Sequence, residues 1–147
     1  MQLVLFKLCS NFNMQYDIMD DRKWPQDYPA DILVPPDGAV EIDANLYRLV
    51  YKDTPDADDF LASYKDPKQR HLAKKTAIKK KPGFYGTSFF DTHDSIKDLV
   101  DGNPERFSGQ LIATGLVKPE HGKGEPRGHH VSMWFYEGVY PKGFKVV

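Results

Sequence analysis

Cysteine is nearly absent from this sequence, since Cys9 is the single one among 147 residues. An internal disulfide and a cysteine-rich zinc site are therefore both excluded. The chain also lacks any run of about 18 apolar residues, which a membrane-spanning helix needs. Its apolar start has no basic region before it and no small-residue cleavage site after it. We therefore expect a strand or an ordered arm there, no cleaved signal peptide, and action in the cytoplasm.

An excess of one charge is missing as well. The sequence has 20 Lys and Arg residues and 21 Asp and Glu residues, which gives a formal net charge of -1. A dedicated nucleic-acid binder is usually basic, so this balance disfavours that class. The neutral total hides a segregation. Residues 1–64 carry 12 acidic and 5 basic groups, whereas residues 65–82 carry 8 basic groups and one acidic group. The basic stretch is either a solvated face or a surface that attracts an anion, such as a dinucleotide phosphate, an RNA or an acidic partner.

Familiar metal and phosphate motifs are absent too. The 5 histidines show no metal-ligand spacing, and the adjacent His129 and His130 point to opposite faces of a strand, so we expect no metal site. The stretch HGKGEPRG at 121–128 matches neither a dinucleotide fingerprint nor a P-loop. Ser88 lies outside any G-x-S-x-G pattern, which disfavours a serine hydrolase.

The length predicts one domain, and 13 % aromatic residues with 11 Gly and 11 Pro favour a compact, sheet-containing fold. Prolines predict an irregular arm over 1–44, packed on the domain. Helices are expected over 56–72 and 95–100, and a polar loop over 119–128. Segments rich in β-formers predict strands at 46–52, 84–90, 110–117, 129–136 and 144–147. The predicted order is a strand, then helices, then mostly strands. This order lacks a regular βαβ alternation, so the predicted class is α+β.

Strand alternation places polar groups on the same face as apolar ones. In LYRLVYK, Arg48 falls on the face of Leu46 and Val50. A guanidinium there needs a partner, such as a carboxylate or a phosphate. In HHVSMWFYE, His130 and Trp134 share a face with further polar and aromatic groups. That face either lines a ligand cleft or is an amphipathic solvent face.

A glycine and two hydroxyls mark the segment FYGTSFF. Gly86 within a strand indicates a bulge or the close approach of a ligand or another backbone. Thr87 and Ser88 follow it and offer hydroxyls on both faces of the strand.

These motifs, in this order, resemble the ADP-ribosyltransferase-like superfamily. The first strand of that superfamily carries an Arg or a His, which LYRLV matches with Arg48. The second carries a hydroxyl motif, which YGTSFF matches with Thr87 and Ser88. A later strand carries the catalytic Glu, which YEGVYPKGFKVV matches with Glu137. The likeness spans residues 46–147 and implies a split β-sheet core with short helices.

A narrower likeness is to the small NAD-dependent cytotoxins that type VI secretion systems deliver. Their LYR-x-V-x-K, GTS-x-FD and H-x-S/T strands correspond to LYRLVYK, GTSFFD and HVS in this chain. The residue at the third position is then a histidine, His130. Glu137 and His130 therefore both remain candidates for that position.

The resemblance implies an NAD-dependent toxin or effector that cleaves the nicotinamide–ribose bond and transfers ADP-ribose to a target or to water. An Arg would hold the pyrophosphate and a carboxylate would stabilise the cationic ribose. The implied catalytic residues are Arg48, Ser88, and His130 or Glu137. The implied NAD-binding residues are Tyr47, Arg48, Tyr85, Gly86, Thr87, Phe89 and Trp134.

The resemblance also implies a partner. A cognate immunity or antitoxin protein would neutralise such a toxin, and the basic 65–82 stretch would meet its acidic surface. Two other functions remain open, an RNA-directed toxin and a non-catalytic interaction domain with the same fold.

Overall fold

The protein is described from a computed structural model, which covers residues 22–147. Within them the strands are β1 (Ala44–Val50), β2 (Thr87–Phe90), β3 (Leu111–Val117), β4 (Gly122–Arg127), β5 (His130–Phe135) and β6 (Lys145–Val146). They form one antiparallel sheet in the order β4-β5-β2-β1-β3-β6. The helices are α1 (Thr76–Lys79) and α2 (His93–Gly102), and 3-10 turns lie at Ala57–Phe60, Arg70–Lys74, Pro82–Tyr85 and Pro119–His121. This confirms the predicted combination of a sheet with short helices.

The sheet is narrowest at its centre. Strand β1 pairs with β3 along its whole length, from Ala44 opposite Val117 to Val50 opposite Leu111. Between β1 and β2 the register holds a single pair, in which Tyr47 lies opposite Phe90. The strands β4, β5 and β2 therefore form one half of the sheet and β1, β3 and β6 the other, and the two halves are joined by little backbone pairing.

One side of the sheet, which we call the core face, carries the main hydrophobic core. Its fully buried side chains alternate along the strands, as period-two patterning requires: Leu46, Val50, Phe89, Ala113, Val117 and Met133. Phe60 covers this face, with its ring centroid 6.2 Å from that of Phe89 and 5.1 Å from that of Phe144. Apart from Ala113, each such side chain contributes about 1.5–3 kcal/mol through burial.

The opposite side, which we call the helix face, is covered by α2 over β1 and β2. The helix begins at His93, two residues before its predicted start, because the side chain of Thr92 accepts a hydrogen bond from the Ser95 amide and caps the first turn. Ile96 is fully buried beneath it. A second hydrophobic cluster, separate from the main core, is formed by the buried side chains of Phe84, Tyr85 and Trp134.

The predicted helix over 56–72 is wrong. Asp56 caps only a single 3-10 turn, Ala57–Phe60. The amides of Ser63 and Tyr64 then donate to the carbonyls of Gly86 and Phe84, at 3.2 and 3.0 Å, instead of to carbonyls one helical turn earlier. These long-range partners override the local helix preference of the segment, which then meets a proline at position 67.

The predicted loop over 119–128 is also wrong, because β4 occupies most of it as an edge strand. Glycines let its backbone approach β5 closely: a Cβ at Gly122 would lie 2.9 Å from Phe135 Cα, and one at Gly124 would lie 3.2 Å from the Ser132 carbonyl oxygen. Gly128, with φ of 60°, closes the hairpin to β5. The polar composition reflects an edge position.

The remaining strand boundaries differ little from expectation. The strand predicted at 84–90 begins only at Thr87, because Phe84 and Tyr85 belong to a 3-10 turn that starts at Pro82. The others lie within two residues of their predicted ends.

Residues 22–43 contain no helix and no strand beyond one bridge between Val40 and Gly124. They are tied to the domain by aromatic side chains, since Trp24 lies 4.5 Å from Tyr136 between ring centroids. The expected arm or strand at the N-terminus, and Cys9, lie outside the described residues.

Candidate functional site

A cavity of about 280 Å³ opens beside Thr87, Met133 and Phe135, on the core face of the sheet. The 3-10 turn Ala57–Phe60 forms one wall. Aromatic side chains are prominent in the lining: Tyr28, Phe60, Tyr64, Tyr85, Phe135, Tyr136 and Tyr140. A concave, largely apolar site with few polar groups is typical of small-molecule binding, and this volume lies near the lower limit for such sites.

Two hydroxyl groups in this cavity are already committed to the protein. The Tyr85 hydroxyl donates to the Lys79 carbonyl at 2.7 Å, and the buried Thr87 hydroxyl donates to the Phe60 carbonyl at 3.0 Å. Burial raises the pKa of Tyr85, and the charge of Asp31 raises it further. Both hydroxyls are therefore used by the protein itself, and both side chains fix the shape of the cavity.

Glu137 is the acidic group of this cavity. It follows β5, is exposed, and is held through its backbone N–H, which donates to the Lys23 carbonyl at 2.7 Å. Its carboxylate makes no ion pair with any of residues 22–147. Burial raises the pKa of Tyr64, as do a hydrogen bond to Asp27 and the negative charge of Glu137. The negative charge of this carboxylate therefore acts on the side chains that line the cavity, and the carboxylate is available to a ligand.

A second cavity, of about 580 Å³, meets the first at Glu137 and Tyr136. It adds two cations, Arg22 and Lys23, and the ring of Trp24. The Arg22 guanidinium carbon lies 5.6 Å from the centroid of the Tyr136 ring. Cations beside aromatic rings suit a ligand that carries both phosphate and a flat base.

Arg48 lines neither cavity. Its Nε donates to the Asp59 carbonyl and its Nη1 to the Ser88 carbonyl, both at 2.7 Å, and its guanidinium carbon lies 5.7 Å from the Phe89 ring centroid. The side chain thus ties the 3-10 turn and β2 to β1 where the sheet is narrowest. Burial lowers the pKa of Arg48 to about 10, so the group stays cationic at neutral pH. Its partners are backbone carbonyls, not the carboxylate or phosphate that the alternation suggests.

Four of the predicted site residues lie on the helix face, away from the aromatic cavity: Tyr47, Ser88, His130 and Trp134. Ser88 pairs with Ser132, and His130 pairs with Phe90, whose side chain shares this face with Tyr47. The His130 ring contacts Phe90 edge-on at 5.4 Å. Burial lowers the pKa of His130, and the charge of Arg127 lowers it further.

His130 also lies at the opposite end of β5 from Glu137. The structure therefore brings Tyr85, Thr87 and Glu137 together, and leaves Tyr47, Ser88, His130 and Trp134 on the far side of the sheet.

Three predicted NAD contacts are enclosed by the protein. Phe89 is 0 % exposed and Trp134 is 1 % exposed, so neither offers a ring face to a ligand. Trp134 Nε1 donates to the Pro82 carbonyl at 3.0 Å. At Gly86 a Cβ would lie 3.0 Å from the Met133 carbonyl oxygen, so this glycine admits the neighbouring strand and not a ligand. The expected stacking roles of these rings are thereby corrected.

Sequence reasoning missed the residues that complete the two cavities. Phe60 ends a short 3-10 turn, and Tyr64 and the Arg22–Lys23 pair lie outside any helix or strand, so no periodicity marks them. The one sequence signal that pointed to these residues was the high aromatic content, 13 %. A composition of this kind does not say which aromatic residues line a cavity.

Within residues 22–147, no three His, Cys, Asp or Glu side chains converge in a way that would hold a metal ion. The same part of the chain has no helix with the length and apolar character to span a bilayer.

Comparison of the chain with models of known protein families, with curated proteins and with solved structures finds no match. Its function is therefore inferred from the side chains that line these cavities.

Proposed function

We propose that this protein is an NAD-dependent enzyme of the ADP-ribosyltransferase type, which breaks the nicotinamide–ribose bond and passes ADP-ribose to a target or to water. The observation that carries the proposal is the position of the Glu137 carboxylate, which makes no ion pair with any of residues 22–147. It lies where an aromatic cavity meets a second cavity that holds Arg22 and Lys23. A dinucleotide with a cationic base at one end and a pyrophosphate in its middle has the matching pattern.

The aromatic cavity suits the nicotinamide end. The nicotinamide ring of NAD is cationic, and tyrosine faces such as those of Tyr28 and Tyr64 attract cations. A volume of about 280 Å³ accommodates one half of a dinucleotide and not the whole. In the larger cavity Arg22 and Lys23 would hold the phosphates, and Trp24 would pack against the adenine.

Glu137 is the proposed catalytic residue. As the nicotinamide–ribose bond breaks, positive charge develops on the ribose, and a fixed carboxylate beside it lowers the energy of that charge. The bonding electron pair leaves with nicotinamide, and the acceptor forms the new bond to the same carbon and loses a proton. His130 lies on the other face of the sheet, so we assign the third site position to Glu137.

Arg48 is the proposed positioning residue. It holds the turn that carries Phe60 into the cavity wall. The strands that carry the resemblance to ADP-ribosyltransferases, β1, β2 and β5, are neighbours at the centre of the sheet. The single residue pair between β1 and β2 accords with the split sheet that the resemblance implies. We extend the proposal, on that resemblance, to a toxin or effector with a cognate immunity protein.

The test measures, by chromatography, the nicotinamide that purified protein releases from NAD. We expect release by the wild-type protein and at least about a 100-fold slower rate for Glu137→Gln, since loss of one electrostatic stabiliser has that scale. The matched control is Glu120→Gln, an exposed glutamate that lines neither cavity. No release by the wild-type protein, or full activity of Glu137→Gln, would overturn the proposal.

A further inference from the structure

Residues 68–81, which we call the basic segment, form an exposed surface without any acidic side chain. All of its lysines and its arginine are exposed: Lys68, Arg70, Lys74, Lys75, Lys79, Lys80 and Lys81. None of them forms an ion pair within the part of the chain that the structure describes. A concentration of uncompensated cations attracts a polyanion.

The basic segment is a fixed surface and not a loose tail. Leu72, Ala73 and Ile78 pack against the second hydrophobic cluster. The Lys79 carbonyl accepts the hydrogen bond of Tyr85, whose ring lines the aromatic cavity. The backbone that carries these cations is therefore anchored beside the aromatic cavity.

The composition of this surface favours a nucleic acid over a protein. The seven cations of this surface are accompanied by one exposed large aromatic side chain, Tyr51, which contacts Lys68. The other large apolar side chains exposed in residues 22–147 lie outside the basic segment: Leu33, Val40, Leu116 and Val147. Protein interfaces are depleted in lysine at their centre and depend on apolar or aromatic anchors. Phosphate backbones, by contrast, are neutralised by lysine and arginine and need no apolar anchor.

Tyr51 supplies a second feature. Its side chain is 42 % exposed at the end of β1, and Lys68 Nζ lies 4.2 Å from the centroid of its ring. An exposed ring flanked by a cation is a platform on which an unpaired base can stack, and single-stranded nucleic acids are bound by such rings together with basic grooves.

We propose that the basic segment and Tyr51 bind single-stranded nucleic acid. We further infer, resting on the proposed function, that this nucleic acid is the acceptor of ADP-ribose. A hydroxyl or amino group of the nucleic acid forms the new bond to the ribose carbon and loses its proton to solvent. Nicotinamide leaves with the electron pair of the broken bond, so no further reactant is needed.

Binding is tested by fluorescence anisotropy with labelled single-stranded RNA and single-stranded DNA of one sequence, between 50 and about 300 mM salt. We expect affinity that falls steeply with salt, with a slope of about -0.7 for each phosphate contacted. Comparing the two oligomers shows whether the surface prefers RNA or DNA, which share the phosphate backbone and unpaired bases. Tight binding of either supports the inference.

Variants locate the surface. Gln at Lys74, Lys75, Lys80 and Lys81 together should weaken binding at least tenfold and flatten the salt slope. The matched control places Gln at four exposed lysines elsewhere, Lys118, Lys123, Lys142 and Lys145, and removes the same charge. Tyr51→Ala should weaken binding at least about fivefold, the lower limit for loss of a stacked base.

Three results would overturn the inference. One is the absence of binding to both oligomers, and another is equal weakening by the two lysine sets. The third is binding of polyglutamate as tight as that of the oligomers and unchanged by Tyr51→Ala, which would indicate an acidic protein partner.

The acceptor step has its own readout. With radiolabelled NAD, the lysine variant of the basic segment should still release nicotinamide to water but should fail to label the oligomer. Labelling of the oligomer unaffected by those substitutions would contradict the acceptor assignment. If the wild-type protein releases no nicotinamide, the proposed function fails, while the binding experiment still decides whether the surface takes nucleic acid.

Discussion

Replacing Arg48 by methionine keeps much of the side-chain volume and removes the guanidinium. The loss breaks the hydrogen bonds to the Asp59 and Ser88 carbonyls, each 2.7 Å long, and the contact over the Phe89 ring. The 3-10 turn Ala57–Phe60 then loses its tie to the centre of the sheet. We expect the variant to fold with a clearly lower free energy of unfolding.

The magnitude follows from opposing contributions. Hydrogen bonds from a charged donor stabilise by about 1.5–3 kcal/mol each, and an aromatic contact with a cation adds about 0.5–1 kcal/mol. Against this stands the cost of burying the cation, which lowers the pKa of Arg48 to about 10 and which methionine does not incur. We therefore expect a net loss of about 2–4 kcal/mol, below the simple sum.

Urea denaturation followed by tryptophan fluorescence measures this loss. The matched control is Arg106→Met, because Arg106 is exposed and lies 4.9 Å over the Phe107 ring. That substitution should change the free energy of unfolding by less than about 1 kcal/mol. If Arg48→Met and Arg106→Met unfold at the same urea concentration as the wild type, the two carbonyl contacts do not stabilise the fold.

Three further predictions concern packing, a buried hydroxyl and pH. Gly124→Ala should destabilise by about 1–3 kcal/mol, because the new methyl would lie 2.7 Å from Ile42 Cγ1, whereas Gly102→Ala has open space and should be neutral or stabilising; thermal melts compare them. Thr87→Val should cost about 1–3 kcal/mol by leaving a carbonyl unpaired, Thr87→Ser should retain most of the stability, and equal urea midpoints for both would contradict this. Burial lowers the pKa of His130 below 6.5, so the unfolded state binds more protons and stability should fall from pH 7.5 to 5. His130→Gln should reduce that fall in urea midpoint, and an unchanged fall would refute the assignment.

The parts of the fold that sequence reasoning predicts well are those where local pattern and packing agree. LYRLVYK alternates, and its Leu46 and Val50 are buried on one face as expected. The helix near residues 95–100 has a capping Thr92 and a buried Ile96, so its existence follows from the sequence. The strand β4 was missed because its pairing depends on glycines that tolerate close contact with β5, which no local propensity records.

The candidate site shows a different limit. Alternation correctly separates Thr87 from Ser88, but it does not apply beyond Phe135, where Tyr136 and Glu137 line the same cavity. It also does not say which face of the sheet carries a cavity. That depends on which segments, distant in sequence, pack over each face. Helix α2 covers β1 and β2 on the helix face, and the turn Ala57–Phe60 leaves a space on the core face. Phe89 lies under that turn, so the aromatic content that suggested a stacking role serves the core at this position.

The most direct measurement for the proposed function is the rate of nicotinamide release by Glu137→Gln and His130→Gln in parallel, with folding checked by circular dichroism. Glu137 faces the aromatic cavity, and His130 lies on the other face of the sheet. We predict a loss of at least about 100-fold for Glu137→Gln and a rate for His130→Gln close to that of the wild type. A rate that survives Glu137→Gln and collapses in His130→Gln would contradict the placement of the active site.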